Sequence, residues 1–175
     1  MVSKNTYLRR STFDDCTLFT KWEQQDYVKQ FLTINMERTY EEVVREFLGR
    51  ENDLSREQYT ILLKEDSIPI GRVYLSGISR AADSIDITRI YIGEEKFLGL
   101  GYGREVMETL LDYCFNTLKM QRVTIDHYPG NENAAALYLR LGFKYEGIMR
   151  NAAKKDNEYY NLHLMSILRS EYCHK

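Results

Sequence analysis

The sequence predicts an α/β (α+β) protein with a mixed, mostly antiparallel central sheet and flanking helices. Three observations carry this. Residues 59–63, 70–75 and 85–92 are apolar runs of strand length joined by polar turns, a three-strand meander. After residue 98 the pattern changes, and helix-period stripes alternate with strand-length runs. Breakers are scarce, with Gly 10 and Pro 2 in 175 residues, which suits long elements with little linker. An all-antiparallel sandwich would lack the helical crossover after the meander. A uniform doubly wound sheet would not contain three strands in succession.

The elements follow in order. Residues 7–10 form a short strand. Thr12 is placed to cap a helix from Phe13, with Leu18, Phe19 and Trp22 on one face. Thr39-Tyr40-Glu41-Glu42 is a capping-box pattern, in which the hydroxyl takes an orphan N–H and the third residue on reaches back. Tyr40, Val43, Val44, Phe47 and Leu48 then recur at helical spacing, and Gly49 is the expected stop. The meander comes next. Past it, Val106, Met107, Leu110, Leu111, Cys114 and Leu118 mark a long helix, and residues 122–127 a strand. Asn131 caps a second helix with Ala134, Leu137, Tyr138 and Leu141 on one stripe, ended by Gly142. Residues 143–150 and 159–168 read as two final strands.

Composition bounds the function. No repeat, low-complexity stretch or Pro/Gly/Ser-rich linker divides the chain, so one domain over residues 1–175 is expected. Lys plus Arg is 24 against 26 Asp plus Glu, which argues against a nucleic-acid partner that would need a basic excess. Cys16, Cys114 and Cys173 are odd in number and far apart, without a C-x-x-C, which favours a reducing compartment. They form no metal-ligand spacing with His127, His163 and His174, so no metal is expected. The N-terminus lacks a signal-peptide apolar segment, and no apolar run approaches the ~18 residues of a membrane helix. A cytoplasmic protein without a membrane partner is the expectation.

Gly99-Leu100-Gly101-Tyr102-Gly103 gathers three of the ten glycines between a strand run and a helix. Alternate glycines allow a tight turn and let a ligand approach the backbone. The exposed amides, backed by the helix dipole, suit a phosphate or pyrophosphate. A P-loop would need Gly-Lys-Ser/Thr where Gly103-Arg104 stands. A dinucleotide G-x-G-x-x-G fails in both registers, at Arg104 and at Val106. A loop that merely needs flexible turns is the other reading of the glycines, since Gly-x-Gly-x-Gly by itself is a weak signal.

Two segments settle the choice. Leu98-Gly99-Leu100-Gly101-Tyr102-Gly103 matches a Gln/Arg-x-x-Gly-x-Gly/Ala loop except at Leu98. Asn131-Glu132-Asn133-Ala134-Ala135-Ala136-Leu137-Tyr138-Leu139-Arg140-Leu141-Gly142-Phe143 matches Asn-x-x-Ala-x-x-Leu-Tyr-x-x-x-Gly-Phe. With these motifs the chain resembles the GCN5-related N-acetyltransferase (GNAT) superfamily, and nearly all of it is covered. Its N-terminal half is similar to the branch that acetylates ribosomal-protein N-termini and to its spermidine-acetylating relatives.

The resemblance implies the acyl-CoA N-acyltransferase fold, with a splayed strand pair. It implies acetyl-CoA as cosubstrate, no metal, and direct transfer to a primary amine in a ternary complex. The pantetheine arm would pair with the backbone of Ile90, Tyr91 and Ile92, and an N–H near Tyr91 or Ile92 would hold the developing oxyanion. The pyrophosphate would lie on the amides of Leu98, Gly99, Leu100, Gly101, Tyr102, Gly103 and Arg104. Leu98 cannot give the side-chain contact a polar residue would, so affinity rests on amides. Asn131, Asn133 and Ala134 would flank the cofactor. By the motif, Tyr138 is the acid that protonates the leaving thiolate; a phenol at ~10 can serve a thiol at ~8.5. By periodicity alone Tyr138 is a core aromatic. The base stays open among Asp86, Asp126, His127 and a water chain. The acceptor is a protein N-terminus or a polyamine or other small amine. A homodimer is compatible with the resemblance, and a non-catalytic CoA-binding sensor or scaffold is the alternative function.

Overall fold

A computed structural model describes residues 1–172; Cys173 and His174, counted above, lie outside the described residues. The elements are β1 (Thr6–Arg10), α1 (Asp15–Glu23), α2 (Asp26–Lys29), α3 (Tyr40–Glu51), β2 (Glu57–Leu63), β3 (Pro69–Ser79) and β4 (Ser84–Ile92). After a short turn, Glu95–Phe97, come α4 (Tyr102–Asp112), β5 (Arg122–His127), α5 (Glu132–Leu141), β6 (Lys144–Lys155), β7 (Glu158–Leu168) and α6 (Arg169–Tyr172). One seven-stranded sheet has the order β1-β2-β3-β4-β5-β7-β6, and only β4 and β5 run parallel. The mixed, mostly antiparallel sheet expected from the sequence is the one observed.

Three local expectations are corrected, and one short helix goes unread in the sequence. Thr12 does not cap α1, which starts at Asp15 with Asp14 in the cap position. The Thr12 hydroxyl and N–H both turn to the Asp15 carboxylate, at 3.3 and 2.7 Å, which also takes the Arg9 guanidinium at 2.9 Å. Gly49 does not stop α3, which runs on to Glu51. Arg50 holds that last turn: it pairs with Glu46 at 2.9 Å and lies 4.0 Å from the Tyr74 ring centroid. The strand expected to end at Arg150 continues to Lys155, past an irregularity where Asn151 has φ 51. The four-residue α2 is too short to leave a periodic signal.

The two faces of the sheet are built differently. Val106, Met107, Leu110 and Leu111 of α4 pack with Ile85, Ile87, Val123 and Ile125 in an apolar core. Fully burying a side chain of this size contributes ~1.5–3 kcal/mol. The other face carries α1 and α3, with Cys16, Phe19, Trp22, Val43 and Phe47. Between these helices and the sheet lies a buried ion network. Glu23, fully buried, takes Arg72 at 2.7 Å, Arg38 at 2.9 Å and Arg89 at 3.0 Å. Glu46 takes Arg38 at 2.6 Å and Arg89 at 2.9 Å.

A bulge links the two faces. The β3–β4 register shifts between Tyr74 and Leu75, opposite Thr88. Before it, Ile85 and Ile87 face the α4 core. After it, Arg89 and the Tyr91 hydroxyl reach Glu23 on the α1 side, while Ile90 and Ile92 rejoin the core. An extra residue bends a strand and shifts its alternation, and here it does so where β4 leaves β5.

Candidate active site

β4 and β5 are joined by three rungs only: Ser84↔Arg122, Ile85↔Val123 and Asp86↔Thr124. Past the last rung β4 stays with β3 as far as Ile92, and β5 stays with β7 as far as His127. The two strands therefore fork, and their facing edges carry backbone groups with no strand partner. Edge groups of this kind accept an extended ligand as an added strand. The Gly93 N–H donates to Ile70 on β3 at 2.8 Å, so alternation along β4 turns the Ile90 and Ile92 amides toward the fork. The Tyr91 amide faces β3 instead, which leaves Ile92 as the donor of the two considered from sequence.

The exit of β4 is clamped. A Cβ on Gly93 would meet the Trp22 ring at 2.2 Å, so the ring lies directly on the backbone. The Trp22 indole N–H donates to Glu94 at 2.9 Å, and the Tyr27 hydroxyl donates to the Gly93 carbonyl at 2.7 Å. The glycine loop follows. Gly99 and Gly101 have φ 74 and φ 86, which favours glycine on backbone grounds alone. Gly101 occupies the cap position of α4, and no side chain caps that helix. The first-turn amides of Tyr102, Gly103 and Arg104 are thus open to a ligand.

Gly103 is the more telling glycine. Its φ is ordinary, and a Cβ there would meet nothing within 4 Å. A helical glycine costs ~1 kcal/mol relative to alanine, and no neighbour in the protein demands it. A ligand pressed against the helix start would. Leu98 and Leu100 stand out from the loop, 43% and 61% exposed, without polar reach. The Arg104 Nε donates to Glu108 at 2.8 Å in an exposed pair along α4.

Glu105, not singled out in the sequence, fixes the start of α4. Its carboxylate accepts the Asn5 and Thr6 N–H groups at 2.7 and 2.8 Å and the Ser3 hydroxyl at 2.5 Å. Burial would raise its pKa, but these donors hold it at about 2. The helix is thereby tied to β1. At the start of α5 the Asn131 side chain accepts the Ala134 N–H at 3.3 Å, as expected of a cap, and Asn133 is exposed. Because β4 and β5 are parallel, the starts of α4 and α5 lie at the same end of the fork.

Tyr138 projects from α5 and is 7% exposed, against His127 and Phe143 at 6.3 and 5.9 Å between ring centroids. Burial pushes its phenol well above the ordinary range, and Asp126 pushes it further. It is a neutral O–H, as an acid must be. The three candidate bases separate. Asp86 accepts hydroxyls of Thr88 and Thr124, both at 2.7 Å. His127 directs Nδ1 to the Tyr128 carbonyl at 3.0 Å and stacks on His163 at 5.0 Å. Asp126 receives no hydrogen bond from any described residue, and burial, then the Asp86 charge, raise its carboxyl to about 6.

On the α1 side, Phe31 and Thr33 of the segment after α2 close over the far end of β5. Phe31 packs with Tyr128, Leu162 and Tyr160, and Thr33 meets the Tyr128 hydroxyl at 3.1 Å. Beside them is an open cleft of about 540 Å³ whose walls include Glu37, Glu42 and Asp156. Glu42 is also the capping-box acid of α3, so one carboxylate serves both cap and cleft. Among the described residues no three His, Cys, Asp or Glu side chains group as a metal site, and no helix is long and apolar enough to cross a membrane.

Comparison with known proteins agrees with this geometry. A family model described as an acetyltransferase (GNAT) domain matches residues 5–144. An uncharacterized N-acetyltransferase, p20, of Bacillus licheniformis is 25% identical, over 98% of this chain and 97% of its own. A probable N-acetyltransferase, YjcK, of Bacillus subtilis is 25% identical over 98% of each chain. Spermidine N-acetyltransferase from Vibrio cholerae, solved with CoA and spermine, superposes with a TM-score of 0.85 at 21% identity, over 97% of this chain and 98% of that one. At that identity the likeness establishes the fold. The family match spans the fork, the glycine loop and all of α5, and the chain belongs to the GNAT family of acetyltransferases.

Proposed function

We propose that this acetyltransferase moves an acetyl group from acetyl-CoA directly to an amine, with both substrates bound together. The observation that carries the reading is the β4–β5 fork opening beside an uncapped helix whose second residue, Gly103, answers to no contact within the protein. The fork would take the pantetheine as an added strand, and the α4 amides would hold the pyrophosphate. The Ile92 N–H would meet the oxygen that gains charge during transfer; removing one donor of that kind costs ~3–4 kcal/mol. Tyr138 would give its proton to the departing sulfur. The reaction fits a cytoplasmic setting, where acetyl-CoA is supplied and the buried Cys16 and Cys114 stay reduced.

For the acceptor, the acidic cleft favours a polycationic amine over an uncharged peptide end. Glu37, Glu42 and Asp156 present carboxylates to one opening, and an amine with several positive charges gains from each. The relative solved with spermine has that ligand class. The test is an acetylation panel of spermidine, spermine and N-terminal peptides, read as free thiol, with CoA binding followed by thermal shift. Turnover highest on polyamines supports the reading. Turnover on peptides alone moves the acceptor to protein N-termini. Binding of CoA without turnover on any amine points to a sensor or scaffold.

A further inference from the structure

We propose that Asp126 is the proton acceptor for the incoming amine, a reading that rests on the acetyl transfer proposed above. Its place in the fork is the first argument. Asp126 lies two residues beyond Thr124, the last rung that joins β5 to β4, and on the same face. Its neighbours on β5, Ile125 and His127, face the other way, Ile125 into the α4 core and His127 onto Tyr138. Tyr138 and Asp126 therefore approach the fork from opposite faces. Past the last rung no strand pairing among the described residues joins β4 to β5, and the Asp126 charge is felt at the Tyr138 phenol. A thioester lying in the fork would have the acid on one side and the carboxylate on the other, the side of α1 and the acidic cleft.

The second argument is partnership. Thr88 and Thr124 both spend their hydroxyls on Asp86, which is thereby held at the closed base of the fork. His127 has Nδ1 on a carbonyl, which requires an N–H there, and its ring is covered by His163 on the α4 side. Asp126 alone of the three has both oxygens without a donor among the described residues. Across β7 it faces Leu164, which offers none. The titratable groups around it are Asp86 on β4, Tyr128 after β5 and Tyr138 on α5. None is cationic, and no described lysine or arginine pairs with Asp126. An arriving ammonium would supply the missing positive charge.

The proton balance is explicit. The ammonium has three N–H bonds and the amide product has one. One proton passes to the Asp126 carboxylate, and the freed lone pair attacks the acetyl carbon. As the N–C bond forms and the C–S bond breaks, Tyr138 gives its proton to sulfur. The second nitrogen proton restores the phenol through solvent, and Asp126 releases its own to water. The sum is amide, thiol and one H⁺.

The experiment is kcat/KM against pH from 5 to 9 at saturating acetyl-CoA, with the best amine of the panel, for wild type, Asp126→Asn, Asp126→Glu and Asp86→Asn. The wild type should lose activity as pH falls below about 6, where the carboxyl is protonated. Asp126→Asn should lower kcat by 10- to 100-fold at pH 7, leave KM for acetyl-CoA unchanged and abolish that acidic limb. Asp126→Glu should recover part of the rate and the limb. Asp86→Asn should keep the limb, shifted to lower pH because a neighbouring charge is gone. An Asp126→Asn enzyme within twofold of wild type, or with the limb intact, overturns the assignment. A wild type that acetylates no amine overturns the acetyl-transfer reading instead.

Discussion

Glu23, fully buried, and Asp126, half-buried, are carboxylates next to the same sheet, and they have opposite fates. Glu23 sits under α1 among three arginines, with the Tyr91 hydroxyl donating to it at 3.0 Å. Burial works against its charge, but Arg89, Arg72 and Arg38 overcome this and hold its pKa below the ordinary range. Asp126 is only half-buried, but it has no such partners, and desolvation and the Asp86 charge raise its carboxyl to about 6. The difference separates a carboxylate that serves the fold from one kept ready for a ligand. A charge-paired ion network fixes geometry. An unsatisfied acid is a standing cost that the fold alone does not explain.

Substitution at each site should break this contrast in a different direction. The largest effect belongs to Glu23→Gln, which leaves Arg38, Arg72 and Arg89 short of a counter-charge. Loss of one partner from a buried network costs ~3–5 kcal/mol, and for a chain of this size the melting temperature should fall by roughly 10 °C. A fall under about 2 °C would show that solvent reaches the network. Next is Tyr138→Phe, which keeps the packing and removes the acid. The kcat should drop about 10²-fold, equivalent to ~2.7 kcal/mol, while CoA still protects the protein against heat. A rate close to wild type would return Tyr138 to a packing role.

Asp126→Asn should go the other way and stabilise. The folded carboxyl binds its proton more tightly than the unfolded one, from 3.8 to about 6. The favourable contribution is therefore present below about pH 4 and lost as pH rises through about 6. The amide escapes that loss, so the variant should be more stable than wild type by ~1–2 kcal/mol at pH 7, after allowance for solvent screening. Below about pH 4 the two should melt together. Glu23 and Glu46 titrate in the opposite sense, since their depressed pKa values give stability above about 4.5 that is lost on acidification. Melting curves at pH 4 and 7 separate the two behaviours. The smallest stability effect is that of Gly103→Ala, a gain of up to ~1 kcal/mol from helix propensity. The same change should weaken CoA binding tenfold or more, measured by calorimetry. Equal loss of stability and binding would make Gly103 a folding residue.

The fold was legible wherever a period could be counted. The meander, the α4 stripe as far as Leu111 and the Asn131 cap stand as read, because apolar spacing and cap chemistry are local signals; Cys114 falls in a π-helical turn, Tyr113–Thr117, that follows α4. Where reading failed, a distant contact had the deciding vote. Arg50 on Tyr74 carried α3 past Gly49, and Thr12 turned to an Asp15 carboxylate held by Arg9 instead of capping α1. The site was legible to the same limit. The glycine loop and Tyr138 could be named from spacing, whereas Asp86, Asp126 and His127 could not be ranked. Their ranking depends on which hydroxyls and carbonyls approach each one, and strand sequence does not encode that. Glu105 gave no signal, since its donors lie about a hundred residues earlier in the chain.

The extra residue at Thr88 has a consequence for how this protein can change. It works as a phase shift in the strand: residues before it keep one inside–outside rhythm and residues after it keep the inverse. Deleting one residue there would bring the two halves into step. Arg89 would still point to Glu23 and Ile90 to the apolar core, in one unbroken alternation, while the strand straightened toward β5. The fork would be lost in a single event with the packing of both faces left intact. Side chains around the opening can therefore drift one at a time, but the length of this strand cannot, and lineages that alter the acceptor should still keep its residue count.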